Sequence, residues 1–443
     1  MYSLKVFTYS LDSRWRVNIF LIAITLPGLL LIAQVVRIAV AHQWGESTNL
    51  ADVRKAAKLD PANSSYQYRM GLLYEYDWEH MNLEDAVRYL QAAAILQPNR
   101  ADYWSSLGHA CFTVGDASCA DKAYENSIRL APGIPLYQWE IANYFLLAGR
   151  QKESLSHFRR FLELNPDDPT LTFTICLRAF DDPDLIWNAL LEGEGDANLK
   201  LAYVKFLNDH GRSAVAYQFW NRIADSGTKM SFLAVQPYLE RLIATNQIEQ
   251  ASKVWQDIES LGVIKKSGAD YPANRIFNGG FEQEPLNSGF DWRYQTQQYL
   301  ALDFANDCYE GKRCLQVDFT VPNNADYQPV YQIVPVQPDQ QYELSAHVRS
   351  ADISSDSGPR MRVVDPKCPA CLSVESQASV GTTPWHEISL NFVAGPRTDA
   401  VHVSVWRPRG RSFPMEIQGH FWLASVSLRA APASQSASQS QVQ

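Results

Sequence analysis

Residues 101–132, ADYWSSLGHACFTVGDASCADKAYENSIRLAP, constrain the fold of this chain more tightly than any other stretch. Trp104, Leu107, Gly108 and Cys111 fall at helical spacing on one face of a first helix, and Ala120, Tyr124, Ser127 and Leu130 do the same in a second. Gly115 and Asp116 supply the turn between them, and Pro132 stops the second helix because proline has no N–H to continue it. Gly108 and Ala120 remove bulk where two antiparallel backbones would meet. A single hairpin of this kind cannot bury both faces, so it demands neighbours. Pro61, Pro98, Pro132 and Pro166 recur at intervals of 37, 34 and 34 residues.

The placing of Trp104, Leu107, Gly108, Ala120, Tyr124 and Pro132 resembles the tetratricopeptide repeat (TPR), with Cys111 where that family has an aromatic residue. Ile141, Ala142, Phe145, Ser154, Phe158, Phe161 and Pro166 continue the pattern. Met70, Gly71, Tyr74, Ala86, Leu90, Ala93 and Pro98 precede it, with three residues inserted around 78–82, and Val53, Ala56 and Pro61 read as the second helix of a partial leading repeat. The helical period persists through 171–180, 183–191, 197–209, 213–225, 232–245 and 248–261. The resemblance implies a right-handed superhelix of about six helix pairs over residues 45–265, its last members degenerate. It also implies a concave face lined by Tyr68, Leu72, Tyr76, His109, Phe112, Trp139, Asn143 and Leu146. That set is aromatic and nearly uncharged, which suits an extended peptide or a helix of an envelope protein better than an acidic tail. The alternative occupant is the chain's own linker or adjoining domain. Trp187, Trp220, Trp255 and Cys176 read as core.

Residues 19–36 are mostly Leu, Ile, Ala and Val, closed by Arg37. Eighteen residues just cross a hydrocarbon core of about 30 Å. A membrane anchor over 17–41 is expected, with residues 1–16, carrying Lys5, Arg14 and Arg16 against Asp12, in the cytoplasm. The competing reading is a signal peptide cleaved after Ala39-Val40-Ala41, although the apolar run is long for one. Either way the bulk is exported, and the expected setting is a bacterial inner membrane, crossed once, with the bulk in the periplasm. The cysteines point the same way: six of the seven form close sequential pairs, Cys111 with Cys119, Cys308 with Cys314 and Cys368 with Cys371. Cys111 and Cys119 lie four residues either side of Gly115, where antiparallel helices can face each other, and are either bonded or two buried thiols. Cys308 and Cys314 flank Gly311 as a hairpin disulfide would, and Cys368-Pro369-Ala370-Cys371 reads as a loop disulfide in preference to a redox motif, which needs a βαβ setting.

Composition changes after Lys266, where a linker over 266–275 is expected, to alternating apolar residues between turn signals. Residues 341–349, 387–392 and 400–406 alternate as strands, and several such strands make an antiparallel sandwich over 276–430. Asn278-Gly279-Gly280-Phe281-Glu282, Phe290-Asp291-Trp292-Arg293, Gly311-Lys312-Arg313, Trp385 before a strand and the closing FWLASVSL of 421–428 occur in an order that resembles a carbohydrate-binding module of the galactose-binding-like jelly roll. That resemblance makes Trp292, Trp385 and Trp422 structural; Leu423-Ala424-Ser425 lacks the acid that helps such modules hold calcium. Alternation puts Val401, Val403 and Val405 inward and His402, Ser404 and Trp406 outward, so Trp406, Arg349, Arg362 and His347 form the candidate glycan cluster; Trp406 covering a sheet edge or meeting the helices is the alternative. The tail 431–443 is polar and low in complexity, hence expected to be disordered.

The expected fold is therefore multidomain α + β: a transmembrane helix, a helical TPR solenoid, then a jelly-roll sandwich. A net charge of −9 argues against a nucleic-acid binder, which would concentrate positive charge. No metal set, cofactor motif or catalytic constellation stands out; Glu282 and Asp291 are acids without an isolated partner. The resemblances together imply a non-enzymatic scaffold accessory to making or exporting a surface polysaccharide, with an assembly factor that binds no glycan and a glycan-active enzyme as rivals.

Overall fold

The structure, a computed structural model, describes residues 13–193, 197–266, 273–306 and 308–431. The expectations for residues 1–12, for most of the linker and for the tail from Pro432 lie outside the described residues. The chain divides into two compact units, Met1–Glu192 and Gly193–Gln443.

The first unit opens with α1 (Arg14–Gly45), a 32-residue helix containing an 18-residue window of mean hydropathy 2.5, none of it buried. That is long and apolar enough to cross a membrane, and a signal sequence meets the same test. Its C-terminal end, however, belongs to the repeats. Ala41 shares a core with Leu50, Val53 and Ala56 of α2 (Leu50–Leu59) and with Met70 and Tyr74 of α3 (Ser64–Tyr76). The partial leading repeat thus takes its first helix from the end of α1. Next come α4 (Leu83–Leu96), α5 (Ala101–Val114), α6 (Ala117–Leu130), α7 (Pro135–Leu147), α8 (Gln151–Leu164), α9 (Thr170–Phe180) and α10 (Pro183–Ile186), the last running into a π turn at Trp187–Leu191. Asn49, Asn63, Asn82 and Asp116 cap α2, α3, α4 and α6 by accepting a first-turn N–H. Gly108 and Gly71 are small for the reason expected: a Cβ would meet Tyr124 at 2.9 Å in one hairpin and Leu90 at 2.5 Å in the other. Gly115 turns the central hairpin at φ 92°, a left-handed conformation that glycine adopts without strain.

The second unit joins two helix pairs to the sandwich. Its helices are α11 (Ala197–Asp209), α12 (Ser213–Asp225), α13 (Phe232–Ala244) and α14 (Ile248–Ser260). With five pairs before them, the described residues hold seven pairs, one more than the periodicity suggested. Trp220 and Trp255 are fully buried here, and Trp187 is buried in the first unit. The strands form two five-stranded antiparallel sheets. One runs β1 (Arg293–Tyr294), β4 (Tyr327–Pro335), β9 (Ala400–Arg407), β6 (Arg360–Val364), β7 (Ser373–Glu375). The other runs β2 (Ala301–Ala305), β3 (Cys314–Asn323), β10 (Ile417–Ala430), β5 (Gln341–Ile353), β8 (Gly381–Val393). Tyr342, Leu344, Ala346 and Val348 of β5 and Val401, Val403 and Val405 of β9 share the core between the sheets, as alternation requires. Arg407 is buried at one end, donating to the carbonyls of Ser357, Ala325 and Met415 and so tying three loops together.

Candidate functional site

On α3 and α5, the first helices of two successive repeats, the fold sets Tyr68 and Tyr76 against residues of the next repeat, Tyr76 against His109. Tyr68 stacks on Tyr103 with ring centres 4.5 Å apart and sets its hydroxyl 3.0 Å from Ser106 Oγ. Tyr76 lies over His109, its hydroxyl 3.4 Å from Nδ1. The remaining expected residues are engaged within the repeats themselves. Phe112 packs edge-on to Tyr144 at 5.1 Å, Trp139 lies 5.6 Å from Phe158 and 5.0 Å from Phe161, and Asn143 donates to the carbonyl of Trp139 at 2.8 Å. Leu72 and Leu146 are half-buried.

Two carboxylates that the sequence reading passed over stand with them, so the face is not uncharged. Glu75 has only 3 % of its side chain exposed, and its Oε1 lies 2.5 Å from His109 Nδ1. Its other oxygen is buried without a hydrogen-bond partner in the protein. Glu140 accepts a hydrogen bond from the Ser105 hydroxyl. The Glu75 bond holds the His109 imidazolium above the usual histidine range, while burial pushes the Glu140 carboxyl up. A glutamate set among Met70, Gly71 and Tyr74, all buried, was the available signal: an acid inside a helix's apolar stripe.

The sandwich divides the four residues expected to cluster between opposite sheets. Trp406 and Arg362 stand together on the outer face of the β4–β9–β6 sheet. Arg362 lies 4.4 Å and Arg360 5.8 Å from the centre of the Trp406 ring, whose Nε1 donates to Asp326 at 2.9 Å. This face is largely occupied by the chain itself. Its outward Ser404 is 0 % exposed, α14 lies against β4, and Arg293 of β1 reaches Glu240 of α13 at 2.8 Å. Glu240 also accepts from Ser288 Oγ and Gly289 N. Burial, with Arg293 nearby, pushes the outward His402 below the usual histidine value.

Arg349 and His347 stand on the outer face of the other sheet. Pairing lines up Asp303, Gln316, Trp422 and Arg349 across four strands. Trp422 Nε1 donates to Gln316 Oε1 at 3.0 Å, Arg349 lies 4.7 Å from the Trp422 ring centre, and His420 pairs with Asp318 at 2.6 Å beside it. Further along, Tyr309 stacks on His347 at 4.2 Å and tilts against Trp385 at 5.3 Å. Trp385 and Trp422 are therefore half-buried members of this face and not core; Trp292, fully buried against Phe281, is core. Phe421 and Leu423 point inward, so Trp422 between them must point outward.

All three expected cysteine pairs are disulfides, Cys111–Cys119, Cys308–Cys314 and Cys368–Cys371. The middle one closes the hairpin that delivers Tyr309 to the open sheet face. Cys176 is buried, and burial pushes its thiol up to about 12, the behaviour of a core residue. Asp291 is buried, accepting from the N–H groups of Leu286 and Trp292. Among the described residues no three His, Cys, Asp or Glu side chains converge as metal ligands.

No family model matches the chain, and no curated protein does. Among solved structures it is similar to MamA, at 15 % identity and a TM-score of 0.27 over 45 % of this chain and 89 % of that one. It is also similar to YrrB, described as a TPR protein with an unusual peptide-binding site, at 18 % and 0.31 over 41 % and 90 %. A CBM4 structure matches at 14 % and 0.26 over 35 % and 99 %. Scores this low carry no argument about what the chain binds.

Proposed function

We propose that the chain is a membrane-held envelope scaffold and not an enzyme. It takes a protein partner on the first-helix face and a glycan on the open sheet, as an accessory to making or exporting a surface polysaccharide. The observation that carries the glycan part is the row Gln316, Trp422 and Arg349 with Tyr309, His347 and Trp385 beside it. Flat rings stack on the C–H faces of sugars, and planar amide, imidazole and guanidinium groups around them satisfy hydroxyls. Retention of α1 as an anchor is supported by Ala41: cleavage after it would tear a fully buried residue out of the first core. Asp291, one of the acids a glycan-active enzyme would need, is committed to backbone N–H groups.

The test is affinity electrophoresis or calorimetry of the full chain in detergent against a panel of bacterial polysaccharides. Binding weakened about tenfold by Trp422→Ala and by Arg349→Ala supports the reading. Binding that both variants leave unchanged moves the site elsewhere, and turnover of any glycan sinks the non-enzyme assignment. If no polysaccharide binds, the reading that stands is an envelope assembly factor working through its helices alone, which the polar cluster on α3, α5 and α7 favours.

A further inference from the structure

The first-helix face carries more negative charge than its own residues neutralise. Placing a carboxylate out of water is unfavourable unless it is paired and its lone pairs are filled. Glu75 meets that requirement at one oxygen only: Oε1 reaches His109, and Oε2 is buried with no partner in the protein. Glu140, on the next first helix but one, is half-buried and receives a neutral hydroxyl. His109, from the helix between, supplies at most one positive charge to two carboxylates. The nearby Arg100 is already engaged by Asp102 at 2.5 Å and adds no free charge. Tyr68 and Tyr76 stand beside this cluster, and the face of a tyrosine ring attracts a cation.

We propose that Glu75 and Glu140 together receive the ammonium or guanidinium of a basic residue in a partner peptide laid across α3, α5 and α7. This rests on the protein-partner reading above and gives that partner a chemistry. The cation would pair directly with the half-buried Glu140, offset the charge of the buried Glu75 behind it, and place its aliphatic stem against the tyrosines. An acidic tail would meet like charge, and a neutral peptide would leave the carboxylates unpaired.

The experiment selects peptides from a random 12-residue display library on the full chain in detergent, then measures their affinities for the wild type, Glu140→Gln, Glu75→Gln and Tyr68→Ala. The expected result is enrichment of Lys and Arg, with roughly tenfold or greater weakening in Glu140→Gln and no rescue by salt. Glu140→Gln is the decisive variant because its side chain is the less buried; its thermal melt, matched to wild type, excludes a folding defect. Selected peptides that lack basic residues yet need Tyr68 overturn this proposal and leave the partner reading standing. Basic peptides whose affinity Glu140→Gln and Glu75→Gln leave unchanged overturn it too, as attraction to an acidic chain at large. A selection that yields no Tyr68-dependent peptide overturns both readings.

Discussion

Trp406 on β9 and Trp422 on β10 both stand on the outer face of their sheet, each with an arginine over its ring at 4.4 and 4.7 Å. Strand alternation treats them alike, and so does their local chemistry. What separates them is what the chain lays on each sheet. The β4–β9 face receives α13 and α14, and its outward groups are spent on the molecule: Arg293 on Glu240, Trp406 on Asp326, Ser404 on the carbonyl of Arg362. Among the described residues the β10–β5 face receives the Tyr309 hairpin; its polar groups bond one another, Trp422 to Gln316 and His420 to Asp318, and Arg349 is exposed over the Trp422 ring. An outward tryptophan is thus a candidate for binding only after the coverage of its sheet is known.

Removing the cover is the harshest way to break this contrast. Trp255 of α14 is fully buried, edge-on to Phe277 at 5.0 Å and to Phe290 at 5.9 Å. Trp255→Ala is expected to cost about 3–5 kcal/mol of the second unit's stability, read as a lower denaturation midpoint by tryptophan fluorescence or circular dichroism. A change under about 1 kcal/mol would mean that the helices merely rest on the sheet. Next in size is the paired test of the two tryptophans. Trp422→Ala should weaken glycan binding about tenfold, and Trp406→Ala should leave it unchanged while loosening Arg362 and Asp326. Equal losses in both would erase the distinction between the faces.

Much of this was legible in the residues. The proline spacing and the Gly108 hairpin gave the repeats, because steric contact of glycine with Tyr124 is a local matter. The inward sets of β5 and β9 followed from period-two alternation. Trp422 was legible too, between inward Phe421 and Leu423, and was lost only because a family resemblance was allowed to outweigh the alternation. The division of Trp406 from Arg349 was not legible: both are outward by alternation, and which sheet a strand joins depends on pairings between residues far apart in sequence. Glu75 lay between these cases. An acid in an apolar stripe is visible, but that only one of its oxygens finds His109 requires the neighbouring repeat.

The smallest expected effect is a pH dependence that belongs to the covered face. His402 packs against Tyr331 at 5.1 Å, and burial, reinforced by Arg293 and opposed by Asp365, holds its imidazole below the usual value of 6.5. In the unfolded chain the ring takes a proton near 6.5, whereas in the folded one it does so only at lower pH. The stability due to the neutral ring is therefore present above about 6.5 and is lost as pH falls through the folded value. Asp291 works in the opposite sense: burial raises its carboxyl to about 6 from 3.8, so acidification from 6 towards 4 favours the folded state. The wild-type curve alone mixes the two, and the difference between wild type and His402→Gln isolates the histidine. Melting of the full chain at pH 7.5, 6.5 and 5.5 should show that the variant loses less on acidification than the wild type does. Parallel curves would mean that burial does not hold the His402 ring neutral, and the covered face would have to be given up.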